Sequence, residues 1–244
     1  MSYSLQLYTV RVPLERDLPG TIARVAELGF SMVEPYNFVA TADRLAAAFA
    51  EHGITAPSGH APLLSADQDE IFTAANKLGI TTVIEPFIGA ERWQSAEDVQ
   101  TIAAELNAAA QKGAEYGIRV GYHNHAWELE SKINGTTALE YLETLLDPEL
   151  VLEVDSYWVG VGGANVTEVL AQLGDRVKFL HIKDGPLTRD NLAQLPAGQG
   201  LVPIWDVIEA AKSLEVGVVE FDDYAKDIFD GIAESLAFLN RGKA

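Results

Sequence analysis

Four of the five histidines in this chain, and many of its carboxylates, stand at or just after the ends of short apolar segments. If those segments are parallel strands, their carboxyl ends meet at one mouth or edge of a sheet. Imidazoles and carboxylates brought together there are costly to desolvate unless a cation compensates them. We therefore predict one divalent metal ion, and the mixed nitrogen and oxygen donors favour Mn²⁺, Zn²⁺, Co²⁺ or Fe²⁺ over Mg²⁺. The residues in question are Glu34, His60, Glu85, His123, Asn124, His125, Glu128, Asp155, His181, Lys183, Asp184, Glu220, Asp222 and Asp223.

Some members of this set are expected to have a structural role only. Carboxylates at strand ends often cap the helix that follows, and we expect this of Glu34, Asp184, Asp222 and Asp223. The fifth histidine, His52, falls at the end of a helical segment and is interpreted as a solvated surface residue.

The elements that position these residues repeat along the whole chain. Eight short apolar segments are predicted to be strands buried on both faces, and each is followed by an amphipathic helical segment. The predicted strands are Ser4–Val10, Met32–Tyr36, Ile54–Gly59, Thr82–Pro86, Arg119–His123, Val151–Asp155, Val177–Ile182 and Val216–Glu220. The predicted helices are Leu18–Leu28, Asp43–His52, Asp67–Leu78, Glu97–Tyr116, Ala138–Leu146, Val166–Leu173, Ile204–Leu214 and Ile228–Leu239.

The boundaries of these helices have signals of their own. Ser95 with Asp98, and Thr137 with Glu140, have the spacing of a capping box. Glycines follow five of the helices, four of them in the related phrases ELGF, EHGI, KLGI and EYGI, where a left-handed residue ends a helix. Eight strand–helix units without a glycine-rich dinucleotide fingerprint after the first strand predict an α/β fold, a single (β/α)8 TIM barrel. We expect residues 1–244 to form one barrel domain.

Composition narrows the classes of partner. The chain has 244 residues, a formal net charge of −19 and no cysteine. Such a charge opposes binding to nucleic acid and to anionic membranes, and the absence of cysteine excludes disulfides and thiolate ligands. No segment has the pattern of a secretory signal or a transmembrane helix, so we expect a cytoplasmic protein. Oligomeric state is left open, with a homodimer as one candidate.

Four segments, YHNHAWELE, LEVDSYWVGVGG, RVKFLHIKDG and VVEFD, resemble the sugar phosphate isomerase/epimerase family of xylose-isomerase-like barrels. The segment GQGLVPIWD is similar to the G-x-G-x-x-x-x-D motif of that family, with one more residue before its aspartate. The resemblance covers essentially the whole chain and extends to inosose dehydratases and ketose epimerases. It implies a metal held by His123, Asp155, His181 and Glu220. One departure is that the epimerases usually have glutamate where His123 stands, so Glu128 is an alternative ligand from this strand.

The resemblance implies proton transfer next to a carbonyl, through an enediolate that the metal stabilises. Glu220 is the first candidate base, and His125 or Glu128 is the second acid or base. Lys183 either binds a substrate oxygen or compensates the carboxylates. A small sugar or polyol is the expected substrate, with His60, Glu85, Trp127 and Trp158 as predicted substrate-binding residues.

Several functions remain open at this point. A sugar isomerase or epimerase is the first interpretation, and a dehydratase or lyase acting on an inosose or a 3-keto-sugar is the alternative. An endonuclease-IV-like phosphodiesterase would require more histidines, for a cluster of zinc ions, and a basic rim. A barrel that only binds a ligand would not need a converging set of metal ligands.

Overall fold

The computed structural model describes residues 3–243 and has a sheet of eight parallel strands. Each pairing between neighbouring strands in this sheet is parallel, as expected where a helix connects one strand to the next. A separate antiparallel hairpin pairs two strands of two residues each. In chain order the strands are β1 (Tyr3–Gln6), β2 (Met32–Glu34), β3 (Ser58–His60), β4 (Thr82–Glu85), β5 (Arg119–His123), the hairpin strands β6 (Lys132–Ile133) and β7 (Thr136–Thr137), β8 (Val151–Asp155), β9 (Val177–Ile182) and β10 (Val216–Val219).

The eight-stranded sheet curls into a barrel. Its strand order is β2-β1-β10-β9-β8-β5-β4-β3, so β2 and β3 are the two ends. These ends meet through parallel bridges that pair Met32 with Thr55 and Tyr36 with His60. The amide of His60 donates to the carbonyl of Pro35 at 2.8 Å across the same seam. The predicted barrel of eight parallel strands is thereby confirmed.

Helices surround the barrel, and most begin and end where the sequence signals lie. Asp67 caps its helix as an acceptor from the amides of Asp69 and Glu70, and Gly79 ends it with a φ of 72°. The Thr137–Glu140 capping box is present in both directions. The helices are α1 (Arg11–Arg16), α2 (Leu18–Glu27), α3 (Ala42–His52), α4 (Gln68–Leu78), α5 (Ala96–Glu115), α6 (Trp127–Glu130), α7 (Ala138–Glu143), α8 (Ser156–Val161), α9 (Val166–Leu173), α10 (Ile204–Ala210) and α11 (Ile228–Arg241). Within residues 3–243, none of these helices combines the length and apolarity that a membrane span requires.

Several predicted boundaries are wrong by part of an element. The first strand stops at Gln6, because the Gln6 side chain accepts a hydrogen bond from the Tyr8 amide and the chain turns into a 3-10 helix. The third strand is Ser58–His60 instead of Ile54–Gly59, since Pro57 has no amide hydrogen to donate. Helices α7 and α10 also end several residues before their predicted ends.

The interior of the barrel is apolar at one end and polar at the other. Alternate residues of a strand face the same side, so Val151, Glu153 and Asp155 of β8 share the interior face. A small apolar cluster fills the interior where several strands begin, and it includes Val151, Phe179 and Val216. Polar residues replace it towards the carboxyl ends of the strands. The core between the sheet and the helices is separate and much larger.

Candidate active site

Five buried side chains from five strands form what we call the inner cluster: Glu34, His60, His123, Glu153 and His181. Glu153 Oε2 lies 2.5 Å from His60 Nε2, 3.1 Å from His123 Nδ1 and 3.1 Å from His181 Nε2. Glu34 Oε1 lies 2.9 Å from His181 Nε2 and 3.1 Å from His60 Nε2. Three imidazoles and two carboxylates thus make one buried hydrogen-bonded group.

The charges of the inner cluster compensate one another. Burial and the Glu34 carboxylate raise the pKa of Glu153, but the nearby His181 and His60 outweigh them and lower it to about 2. Burial lowers the pKa of His60, yet Glu34 and Glu153 raise it overall to about 10. In His123 burial and the neighbouring His181 dominate, and its pKa lies well below the ordinary value. Ionised carboxylates therefore face protonated imidazoles, with His123 neutral.

A second group, the outer cluster, lies closer to the barrel mouth and consists of Asp155, His181, Lys183, Glu220 and Asp222. Lys183 Nζ lies 2.6 Å from Glu220 Oε2, 2.9 Å from Asp155 Oδ2 and 2.9 Å from Asp222 Oδ2. His181 Nδ1 lies 2.6 Å from the same Glu220 oxygen, so His181 joins the two clusters. Of the two roles predicted for Lys183, these contacts favour compensation of the carboxylates.

The donor set of the outer cluster fits a divalent cation. Asp155, His181 and Glu220 each offer a ligand atom, and these atoms all lie within 4.8 Å of one another. Asp155 Oδ1 accepts from the Trp158 amide, whereas the buried Oδ2 has an ionic contact with Lys183 but no hydrogen bond from any of residues 3–243. One imidazole with two carboxylates suits Zn²⁺, Mn²⁺, Co²⁺ or Fe²⁺.

His123, the fourth ligand implied by the resemblance, is placed differently from the other three. Its Nδ1 bonds to Glu153, and its Nε2 lies 3.9 Å from Asp155 Oδ2. It groups with His60, Glu153 and His181 as a second set of potential ligands. The four predicted residues are therefore divided between two adjoining groups.

Glu153 is the member of the site that the sequence analysis did not identify. The signal was available, because Glu153 and Asp155 are two residues apart on one strand and so share a face. The same rule places Glu34 on the interior face with Met32, which packs against the apolar cluster. Glu34 accepts from Gln6 Nε2 at 2.8 Å and from Ser58 Oγ, so it is a buried hydrogen-bonded residue and does not cap a helix.

Glu85 and Glu128 lie away from the interior face, which corrects their expected positions. Glu85 follows Ile84, an interior residue, and so points to the opposite side, where it accepts from the amides of Leu64 and Phe87. Burial raises its pKa to about 7. Glu128 accepts from Tyr122 Oη at 2.5 Å and from the His125 amide, and burial raises its pKa to about 8. Both carboxyls hold loops, and we leave them out of the proposed reaction.

His125 lies in an aromatic wall beside the barrel mouth. Its ring stacks on Trp127 at 4.5 Å and meets Phe87 edge-on at 5.3 Å. Burial and the Lys183 ammonium lower its pKa to about 3, so the imidazole is neutral. His125 Nδ1 and Trp158 Nε1 are buried and have no hydrogen-bond partner within residues 3–243. Because the neutral His125 ring carries one bare nitrogen, it can accept a proton or a hydrogen bond from a ligand.

The remaining acidic residues have mixed roles. The Asp184 carboxylate accepts from four backbone amides of the loop after β9, which agrees with its predicted structural role; they belong to Gly185, Gly198, Gly200 and Val202. Asp222 was expected to be structural and instead belongs to the outer cluster, where the buried Gln194 also donates to it at 2.6 Å. Asp223 is exposed and accepts from the Tyr224 amide.

A cavity of about 330 Å³ opens above both clusters. Its floor includes His60, His123 and Glu220, and its sides come from the loops that follow the strands. The residues around it are Tyr8, Tyr36, Asn37, His60, Pro86, Phe87, His123, His125, Glu220 and Asp222. Of the residues predicted to bind substrate, His60 lines this cavity, while Trp127 and Trp158 stand behind His125.

Comparison with known proteins also finds a barrel of this type. Residues 22–241 match the family described as Xylose isomerase-like TIM barrel. The chain belongs to this family. The expected resemblance to sugar phosphate isomerases and epimerases is confirmed at that level.

Individual members of the family differ in what they do. An inosose dehydratase of Clostridium perfringens is 33% identical over 89 residues, which are 36% of this chain and 29% of that protein. The chain thus spans less than a third of the curated relatives that it matches. A sugar phosphate isomerase/epimerase structure from Parabacteroides distasonis has a TM-score of 0.86 at 21% identity, over 99% of this chain and 94% of the other. The IolI protein, solved with a zinc atom, has a TM-score of 0.72 at 17% identity, over 99% and 97% of the two chains. These structures show the shared fold.

Proposed function

We propose that this protein is a divalent-metal-dependent isomerase or epimerase of a small sugar, which moves a proton at the carbon next to a carbonyl. The strongest support is the position of Glu220, which both lines the cavity and belongs to the donor set that fits a metal. Family members with isomerase, epimerase and dehydratase names, and a zinc-bound neighbour, point in the same direction.

Glu220 is the base in this proposal. Burial alone would raise its pKa, but Lys183 and His181 hold it well below the ordinary value, so the carboxylate is ionised at neutral pH. The His181 hydrogen bond and the Lys183 ion pair both involve Oε2, which leaves Oε1 for a substrate C–H. A divalent cation held by Asp155, His181 and Glu220 would supply electrophilic polarisation of the substrate carbonyl.

His125 is the second acid or base. Its neutral imidazole lines the same cavity as Glu220, so it can accept a proton from a substrate hydroxyl. Trp127 stacks on the ring and fixes its plane, while Trp127 itself donates to the carbonyl of Ile88 at 3.0 Å. Lys183 keeps Asp155, Glu220 and Asp222 together and does not have to touch the substrate.

Dehydration is the second candidate, favoured by the matching segment of the inosose dehydratases. It begins with the same proton removal and continues with loss of a hydroxyl group from the neighbouring carbon. The hydroxyl would leave as water with the proton that Glu220 has taken from carbon, while the neutral His125 imidazole donates a hydrogen bond to the leaving oxygen. The two candidates share every residue and differ in their product.

Proton NMR in D₂O tests the proposal. The Mn²⁺-loaded protein is incubated with ketoses, inososes and 3-keto-glycosides, and the expected result is solvent deuterium at one C–H next to the carbonyl. Glu220→Gln removes the base and should lower kcat by about 10²–10⁴ at saturating metal. Glu51→Gln makes the same chemical change at an exposed carboxylate of α3 and serves as the control. Exchange that continues at the wild-type rate in Glu220→Gln would remove Glu220 from the mechanism.

Chelation gives an independent readout. EDTA should abolish deuterium exchange, and Mn²⁺ or Co²⁺ should restore it. The helical circular dichroism should persist, because the large core between sheet and helices is apolar and Lys183 still compensates the carboxylates. Exchange that survives complete metal removal would refute metal dependence.

A further inference from the structure

The cavity has two aromatic walls. Tyr8 and Tyr36 meet edge-on at 5.3 Å and form one of them. Phe87 forms the other with His125 and with Trp127, whose ring centroid lies 5.4 Å from that of Phe87. Phe87 is 58% exposed and Tyr8 is 40% exposed, so large apolar surfaces at the mouth have no partner within residues 3–243. Aromatic faces of this kind pack well against the C–H face of a sugar ring.

The charges around the cavity are unsuitable for an anion. Its described lining includes the carboxylates Glu220 and Asp222 but no lysine or arginine. The Lys183 ammonium is within 2.9 Å of three carboxylates, which already compensate its charge. His60, which also lines the cavity, has its Nε2 within 3.1 Å of both the Glu34 and the Glu153 carboxylates.

Arg11 is a cation next to the cavity wall that an anion could pair with. Its guanidinium already has contacts within the protein. Its guanidinium lies over the Tyr8 ring at 4.4 Å and donates to the Tyr8 carbonyl at 3.2 Å. The guanidinium of Arg11 also lies 3.9 Å from the carboxylate of Asp223. Arg11 therefore supports the tyrosine wall and is partly neutralised by a carboxylate.

From these contacts we infer that the substrate is an uncharged sugar or polyol, held between the two aromatic walls and bearing neither phosphate nor carboxylate. The inference rests on the proposed function and specifies its substrate class. A phosphate monoester has a charge of about −1.5 to −2 at neutral pH and needs charge-assisted donors when it loses water. Here it would meet the Asp222 carboxylate and no lysine or arginine in the described lining, and the net charge of −19 would also oppose its approach.

Calorimetric titration with matched pairs tests the inference without requiring turnover. D-fructose, D-psicose and an inosose are each compared with their phosphate esters, with Mn²⁺ present and at low and moderate salt. We expect each neutral sugar to bind about ten-fold or more tightly than its phosphate ester, with a difference that shrinks as salt rises. A phosphate ester that binds as well as or better than the neutral sugar would overturn the inference and leave the proposed function intact. If no member of any pair binds, the inference and the proposed function both fail.

Variants of Phe87 identify the cause of the discrimination. Because this side chain is exposed at the rim, Phe87→Arg adds a cation without opening the core, and Phe87→Gln is the uncharged control. The arginine variant should recover about ten-fold in relative affinity for the phosphate ester, and the glutamine variant should not. Equal behaviour of the two variants would show that charge is not what excludes the phosphate. Loss of phosphate binding in Arg11→Gln would likewise contradict the inference, since it would make Arg11 an anion site.

Discussion

Lys183→Met tests whether the lysine is the internal counter-cation of the outer cluster. The ammonium is 2% exposed and lies 2.6–2.9 Å from oxygens of Asp155, Glu220 and Asp222. At an effective dielectric of about 20, each contact amounts to roughly 6 kcal/mol before desolvation is counted. Removal of one partner from a buried ion pair costs about 3–5 kcal/mol net, because the remaining charges are uncompensated. We expect the metal-free variant to lose that much free energy of unfolding.

The metal response of the same variant is the more specific measurement. Urea unfolding is followed by circular dichroism, with EDTA and then with millimolar Mn²⁺. A divalent cation should restore more stability to Lys183→Met than it adds to the wild type, since in the variant it no longer competes with the ammonium for Asp155 and Glu220. Lys178→Met makes the same change on the same strand at a half-buried position and is the control. A loss below about 1 kcal/mol, or equal stabilisation of both proteins by metal, would refute the assignment.

Two further variants test groups outside the proposed metal ligands. The pKa of Glu85 is raised by burial from 4.5 to about 7, so its contribution to stability is complete below pH 4.5 and is lost as the pH rises through 7, by at most about 3 kcal/mol. Glu85→Gln should flatten this part of the urea-derived stability profile, and an unchanged slope between pH 5 and 8 would contradict it. Asp184→Ala leaves four loop amides without an acceptor and should cost about 2–4 kcal/mol with faster hydrogen exchange after β9. Asp190→Ala in the same loop is its control, and equal exchange in the two variants would show that Asp184 does not hold the loop.

The prediction of a metal site depended on which side chains of each strand share a face, as well as on the types of those residues. Asp155, His181 and Glu220 lie at the ends of β8, β9 and β10, and the structure brings their ligand atoms within 4.8 Å. Parallel strands in register put equivalent positions at one level, so this convergence could be anticipated from the chain. Glu153 could have been anticipated as well, from its place two residues before Asp155.

Glu85 and Glu128 show where reasoning from strand ends fails. A shift of one residue moves a side chain to the opposite face, so Glu85 points away from the interior that Ile84 enters. Glu128 follows a strand, but the turn into α6 directs its carboxylate to Tyr122 and the His125 amide. The direction of a residue beyond the last paired position depends on the path of the loop.

The sequence by itself determined the barrel, the strands that meet at its mouth, and the kinds of ligand that those strands present, because alternation and helix capping are local properties of a chain. Only the tertiary structure decided how those side chains are partnered. It places Lys183 among three carboxylates, His123 on Glu153, and no free cation among the described residues around the cavity. These outcomes depend on distances between strands that are far apart in the chain, and charge compensation inside a barrel is settled by such distances.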